Sequence, residues 1–139
     1  MTTHSVTTVF NKKMSFTASI SGHPVQMDTT DEHGGDDTGP SPKRLMLASL
    51  GGCTGIDVVS ILSRMKITFS DLSIDVEAGV REEYPMIYDK VKITYKIKMA
   101  EADRPKMKKA VNLSQEKYCS VSAMFKAFAK IETEIIFID

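Results

Sequence analysis

Two cysteines are the residues of this 139-residue chain best suited to covalent chemistry. Cys53 lies in the run Gly51-Gly52-Cys53-Thr54-Gly55, and Cys119 follows much later in Lys117-Tyr118-Cys119-Ser120. A thiol reacts as its thiolate, which helix N-termini and nearby cations favour. Small residues beside Cys53 leave room for a ligand to approach the sulfur. We therefore predict a reactive thiol pair. The alternative is that both cysteines are inert small hydrophobes of the core.

The local sequence suggests how each thiol would be activated. Each glycine of the Gly51-Gly52 pair costs about 1 kcal/mol in a helix interior, so the pair indicates a kink or another backbone passing very close. A kink would place Cys53 at the start of a second helical half, where free N–H groups and the helix dipole favour a thiolate. Cys119 precedes a second helical pattern, and Lys117 is a nearby cation. Both features would lower the pKa of the Cys119 thiol.

Polar residues recur on one face of the apolar helix that carries Cys53. These residues are Ser49, Cys53, Asp57, Ser60 and Arg64, at spacings that share a face. They line an active-site cleft, or they solvate the least buried face of the helix. An ionised Asp57 would oppose thiolate formation at Cys53, so a cation is needed or Asp57 points elsewhere.

Arg44 is one candidate cation. It precedes Cys53 by about 13.5 Å along a straight helix, so it reaches the sulfur only across a sharp kink. Lys117, another strand or a second subunit are the other candidate sources. Arg44, Asp57 and Lys117 are therefore predicted to line the site.

Charge and composition exclude several classes of protein. Eighteen basic and eighteen acidic residues cancel, so the attraction that drives nucleic-acid or anionic-membrane binding is missing. The N-terminus lacks signal-peptide features, and two cysteines without a signal indicate a reducing compartment, so we expect a cytoplasmic protein. The stretch 45–62 is apolar, but its serines and glycines favour a buried core helix over a membrane span. The acidic loop around His33 matches no ligand spacing, and we expect no metal site.

The elements that would hold these residues follow from hydrophobic periodicity. We predict one domain over residues 1–139, with a β-meander at 7–28, a long helix at about 41–65 that Ser41 caps, and a β-β-α-α-β segment at 70–138. In that segment the first two strands are expected to be antiparallel neighbours, and Asp103 to cap the first helix. Runs of strands separated from runs of helices argue for an α+β fold with an antiparallel sheet.

Four stretches resemble one known family. They are Gly39-Pro40-Ser41-Pro42, the run from Leu45 through Gly51-Gly52-Cys53-Thr54-Gly55 to Val59, Tyr84-Pro85-Met86-Ile87-Tyr88, and Lys117-Tyr118-Cys119-Ser120-Val121. The chain is similar to the OsmC/Ohr superfamily, whose names refer to osmotic induction and organic hydroperoxide resistance. The run Gly-Gly-Cys-Thr-Gly-Ile-Asp-Val-Val resembles its less characterised OsmC-like, YhfA-type subgroup.

The resemblance implies an intertwined α+β homodimer, with curved sheets from both chains wrapped around each long helix. It also implies a thiol peroxidase. Cys53 would attack the O–O bond of an organic hydroperoxide as the peroxidatic thiolate and become a sulfenic acid. Cys119 would then form a disulfide with it, which an external dithiol reduces. Such chemistry needs no metal or organic cofactor.

The chain departs from the family's active peroxidases at one place. In those proteins a glutamate follows the helix-opening proline and pairs with an arginine of an early strand, which stabilises the thiolate. Here Lys43 and Arg44 follow Pro42, and residues 7–28 contain no arginine. A second hypothesis is therefore a non-catalytic module on the same fold that binds a small ligand or senses redox state.

Overall fold

The chain forms two units, Met1–Met46 and Leu47–Asp139, and a computed structural model describes every residue of both. Two three-stranded sheets and three α-helices make up the secondary structure. The predicted α+β class is therefore confirmed.

The N-terminal unit contains the meander. Strands β1 (Thr7–Phe10), β2 (Phe16–Ile20) and β3 (His23–Met27) pair antiparallel in that order. The turn between β2 and β3 places Ser21 and Gly22 at positive φ, a region that glycine adopts without strain. The alternating apolar residues of this segment therefore belong to a three-stranded antiparallel sheet, as the predicted meander requires.

A single buried carboxylate organises the loop that follows β3. Asp28 accepts hydrogen bonds from the Thr38 hydroxyl (2.6 Å) and from the backbone N–H groups of Thr29 (2.7 Å), Thr38 (3.1 Å) and Asp36 (3.3 Å). The Thr38 hydroxyl bond, and then the backbone N–H bonds of Thr29 and Thr38, lower the pKa of Asp28 to about 2. The loop that holds the predicted acidic cluster is therefore built around Asp28, a carboxylate that precedes the cluster.

The remaining elements follow in chain order. They are α1 (Pro42–Arg64), β4 (Phe69–Val80), β5 (Tyr88–Met99), α2 (Arg104–Leu113), α3 (Ser120–Lys126) and β6 (Lys130–Phe137). A π-helical turn, Ser114–Tyr118, links α2 to Cys119, which lies at the N-cap of α3. Asp103 occupies the N-cap position of α2 but makes no side-chain capping bond, so that predicted cap is wrong.

The second sheet differs from the predicted one in the direction of its last strand. β4 and β5 are antiparallel, as expected for neighbours joined by a short connection. β6 runs parallel to β5, from the Lys90–Lys130 pair to the Ile97–Phe137 pair. The prediction of a fully antiparallel sheet is therefore wrong. The reason is that α2 and α3 form a crossover connection, which returns the chain to the starting end of β5.

Helix α1 is continuous, so the predicted kink at Gly51-Gly52 is wrong. The Ser41 hydroxyl accepts the Arg44 N–H (3.4 Å), as predicted for the helix start. Gly51 and Gly55 pack against side chains of β4 instead, whereas a Cβ on Gly52 would meet nothing within 4 Å. A Cβ on Gly51 would lie 3.4 Å from Val76, and one on Gly55 would lie 2.9 Å from Ile74 of β4. This leaves Cys53 in the middle of an unbroken helix.

One apolar core fills the C-terminal unit. Its fully buried members come from α1, β5, α2 and α3: Leu50, Val58, Leu62, Ile93, Tyr95, Ile97, Met107, Ala110 and Phe125. A buried stripe on each helix and one face of β5 thus account for the packing. This core fixes α1 relative to the segment that carries Cys119.

The Asp28 bonds predict a pH dependence of stability. Because the folded pKa of about 2 lies below the ordinary value of 3.8, the stabilisation is present above about pH 4. It is lost as the pH falls towards 2. We expect Asp28→Asn to lower the free energy of unfolding at pH 7, with the deficit shrinking between pH 4 and 2. Urea unfolding at several pH values measures this, with exposed Glu32→Gln as control. A deficit independent of pH would contradict the assignment.

Candidate functional site

The two cysteine side chains meet in the C-terminal unit. Cys53 on α1 is half-buried and Cys119 is buried, and both are free thiols. Their side chains are hydrogen-bonded to each other. Backbone N–H groups at the start of α3 form hydrogen bonds with both sulfurs. The Val121 N–H bonds Cys53, and the Ser122 N–H donates to Cys119 Sγ at 3.3 Å. The structure thus brings together two thiols that are remote in sequence.

The surroundings raise the pKa of Cys53. Burial is the largest cause, and the hydrogen bond to Cys119 and the charge of Asp57 act in the same direction. Only the Val121 N–H opposes them, by favouring the thiolate. The predicted lowering of this pKa is therefore wrong. Since α1 continues through Cys53, its own N–H groups are already bonded within the helix and none is free to bond the sulfur.

A buried chain of hydroxyl groups lies beside the thiols. The Ser114 hydroxyl donates to Asp57 (2.9 Å), so the Thr54 hydroxyl, 2.7 Å from Ser114, donates to it in turn. The Tyr95 hydroxyl, 2.7 Å from Thr54, then donates to Thr54 and accepts from the Gln115 amide (3.0 Å). Each group thus donates its hydrogen bond to the next one, and the Asp57 carboxylate is the final acceptor. Directed hydrogen bonds of this kind hold buried residues in one arrangement, while the Gln115 Oε1 atom of the same network is buried without a partner.

In this series of hydroxyl groups the Tyr95 phenol is neutral and donates a hydrogen bond to Thr54. The residue is fully buried, and this burial raises the pKa of its phenol. The hydrogen bonds with Thr54 and Gln115 act in the opposite direction but are smaller effects. The phenol therefore keeps its proton and can donate it to the Thr54 oxygen throughout the physiological pH range.

The predicted site-lining residues have different positions. Asp57 is half-buried, and its charge is one of the causes that raise the pKa of Cys53. Arg44 is exposed in the first turn of α1. Lys117 is exposed, and its ammonium lies over the Tyr118 ring at 5.2 Å. The predicted roles of Arg44 and Lys117 as thiolate-stabilising cations stay predictions.

Sequence reasoning missed the buried hydroxyl chain. Thr54, Ser114 and Gln115 are polar residues at positions that the helical periodicity assigns to buried faces. Tyr95 lies on the buried face of the alternating strand β5, where a phenol normally needs a partner. Buried polar groups require partners, so these positions carried a usable signal.

Asp57→Asn is expected to lower the pKa of the Cys53 thiol. The change removes the negative charge that opposes the thiolate, while the amide oxygen still accepts from Ser114. The pH profile of iodoacetamide alkylation at Cys53, followed by peptide mass spectrometry, measures the shift. The exposed Asp89→Asn variant is the control. An unchanged Asp57→Asn profile would show that this carboxylate does not act on the sulfur.

Known proteins resemble this chain both in sequence and in fold. The family model described as OsmC-like protein matches residues 34–134. Protein YhfA of Escherichia coli (strain K12) is 34% identical over 113 residues, 81% of each chain. A hypothetical protein from Aquifex aeolicus VF5 has a TM-score of 0.85 at 28% identity, covering 99% of this chain and 98% of its own.

More distant structures share the fold alone. An OsmC-like protein from Mycoplasma pneumoniae has a TM-score of 0.80 at 16% identity, with 99% of both chains covered. Two proteins named for organic hydroperoxide resistance have TM-scores of 0.68 and 0.71 at 13% and 12% identity. With the family model matching residues 34–134 and YhfA 34% identical over 81% of the chain, this chain belongs to the OsmC-like protein family.

Proposed function

We propose that this protein reduces organic hydroperoxides with Cys53 as the peroxidatic and Cys119 as the resolving thiol, in defence against oxidative stress. The observation that carries the proposal is the contact between the two side chains. Cys53 is the more exposed of the pair, so a substrate reaches it first. Cys119 is buried behind it, where it can meet an oxidised Cys53 without a large movement. The family's names and its hydroperoxide-resistance neighbours support the same chemistry.

The reaction balances with a hydroperoxide as oxidant and a dithiol as reductant. The Cys53 sulfur attacks the terminal peroxide oxygen, the O–O bond breaks, and the alcohol leaves with the thiol proton. The resulting sulfenic acid reacts with the Cys119 thiol, which forms the S–S bond and releases water. An external dithiol then reduces the disulfide by thiol exchange and is itself oxidised. No step requires a metal or organic cofactor, and the residues act in a reducing, cytoplasmic compartment.

Two observations favour the second candidate, a redox-sensing or small-ligand-binding module on the same fold. The pKa of Cys53 is raised, so only a small fraction of the thiol is ionised at neutral pH. Residues 7–28 also lack the arginine that the family's active peroxidases use. A slow thiol that still forms a disulfide suits a sensor better than an enzyme with rapid turnover.

Single cysteine variants test the two candidates. With cumene hydroperoxide and a dithiol, wild type is expected to consume peroxide, and Cys53→Ser to fall to the uncatalysed background because the nucleophile is gone. Cys119→Ser is expected to form sulfenic and then sulfinic acid at Cys53 without a disulfide. Peroxide consumption and mass spectrometry are the measurements. Wild-type consumption by Cys53→Ser would exclude the mechanism, and a stoichiometric disulfide without turnover would favour the sensor.

We also propose that the active form is a homodimer. An apolar groove of about 750 Å³ runs between α1 and β4, lined by Leu47, Gly51, Gly55, Val59, Leu72 and Ile74. Ile56 beside it is 73% exposed. By length and composition α1 could cross a membrane, and only 28% of its most apolar window is buried. A second copy would cover this surface, as the family resemblance implies.

Ile56→Glu is expected to weaken self-association by at least about tenfold, because a carboxylate would be buried without a partner. Sedimentation equilibrium of wild type should give twice the chain mass of 15.4 kDa. The variant should dissociate at higher concentration and keep its circular dichroism. Ile138→Glu, also at an exposed isoleucine, is the matched control. A monomeric wild type would end the dimer proposal.

A further inference from the structure

We propose that Ser114 is a positioning residue that holds the Cys119 thiol against the Cys53 thiol for disulfide formation. Its role in turnover rests on the proposed function, whereas its effect on the thiol pair does not. Ser114 binds both elements that carry the thiols, one through its backbone and the other through its side chain.

The backbone of Ser114 fixes Cys119. Ser114 begins the π-helical turn that ends at Tyr118, and its carbonyl oxygen accepts the Cys119 N–H at 2.8 Å. Cys119 itself has an extended backbone between this turn and α3. The position of the Cys119 Cα is therefore set by the closed turn. Single π-helical turns of this kind are frequent at functional sites.

The side chain of Ser114 fixes the same turn to α1. Its hydroxyl lies 2.7 Å from Thr54 Oγ1 and donates to Asp57 at 2.9 Å. Thr54 follows Cys53 directly, and Asp57 lies one helical turn later on the face of Cys53. One fully buried hydroxyl therefore joins the turn before Cys119 to the helix around Cys53.

The partners of Ser114 cannot easily replace it. Thr54 is held on its other side by Tyr95 (2.7 Å), whose hydroxyl also accepts from the Gln115 amide. Thr54 and Ser114 are both fully buried, so water does not reach the hydroxyl that a deletion would leave unpaired. Loss of such a bond costs about 1–3 kcal/mol. That cost is relieved if the turn moves away from α1, which separates the sulfurs.

This arrangement determines how readily the disulfide closes. With oxidised glutathione as oxidant, the two thiols form one S–S bond and release two molecules of reduced glutathione. The equilibrium measures the effective concentration of one thiol at the other, which depends on how firmly both are held. Ser114→Ala is expected to lower this effective concentration about tenfold, the change that about 1.4 kcal/mol produces.

The experiment is a glutathione redox titration of the full chain, read by mass spectrometry of the Cys53–Cys119 disulfide. Ser114→Ala should show the tenfold loss, and Ser114→Thr, which keeps the hydroxyl, should recover most of it. Ser120→Ala, the same change at an exposed serine beside Cys119, should stay within about twofold of wild type. A folded Ser114→Ala protein with the wild-type effective concentration would overturn the inference.

A second variant keeps the test decisive if Ser114→Ala does not fold. Thr54→Val removes the other hydroxyl of the bridge with little change of shape, and it should lower the effective concentration in the same direction. A wild-type value for folded Thr54→Val would then overturn the inference. The titration contains no hydroperoxide. Failure of peroxide reduction in wild type would therefore reject the proposed function alone, and an unaltered glutathione equilibrium would reject the positioning role alone.

Discussion

The hydrogen bond between the Cys53 and Cys119 side chains is the interaction on which the proposed thiol chemistry depends. The two residues belong to elements that approach each other only because a shared core packs α1 against β5 and α2. Packing alone leaves side chains free to shift by fractions of an ångström. The buried hydroxyl chain from Gln115 to Asp57 removes that freedom, since each member has a directed partner. Hydrogen bonds among buried polar groups therefore hold the two thiol-bearing elements in place within the apolar core.

The same arrangement opposes ionisation of Cys53. Burial, the Cys119 hydrogen bond and the Asp57 charge each favour the protonated thiol, and the Val121 N–H is the one contact that favours the thiolate. Asp57 therefore has two opposed effects, because it terminates the hydroxyl chain and also disfavours the thiolate. The site therefore holds two thiols in contact and favours the protonated form of Cys53, and both proposed functions start from this state.

Sequence periodicity predicted most of the fold and only part of the site. Alternation identified the strands, and the apolar pattern located α1 with its Ser41 cap. The errors have physical causes. Gly51-Gly52 indicated a kink or a closely passing backbone, and sequence alone does not distinguish these from the side-chain contact that Gly51 makes with β4 in the continuous helix. The direction of β6 depends on how α2 and α3 cross the sheet, which strand alternation does not encode. The Thr54 and Ser114 hydroxyls form a hydrogen bond although the residues lie far apart in sequence, so neither position indicates its partner.

Helix α1 packs against the apolar core on one side and against β4 on another. Its inner face carries Thr54 and the core residues Leu50 and Val58, whereas its glycines admit β4 at close range on another side. An apolar residue such as Ile56 has no partner within the chain. The expectation of a helix buried on most sides is therefore wrong for the single chain, in which only 28% of the most apolar window of α1 is buried.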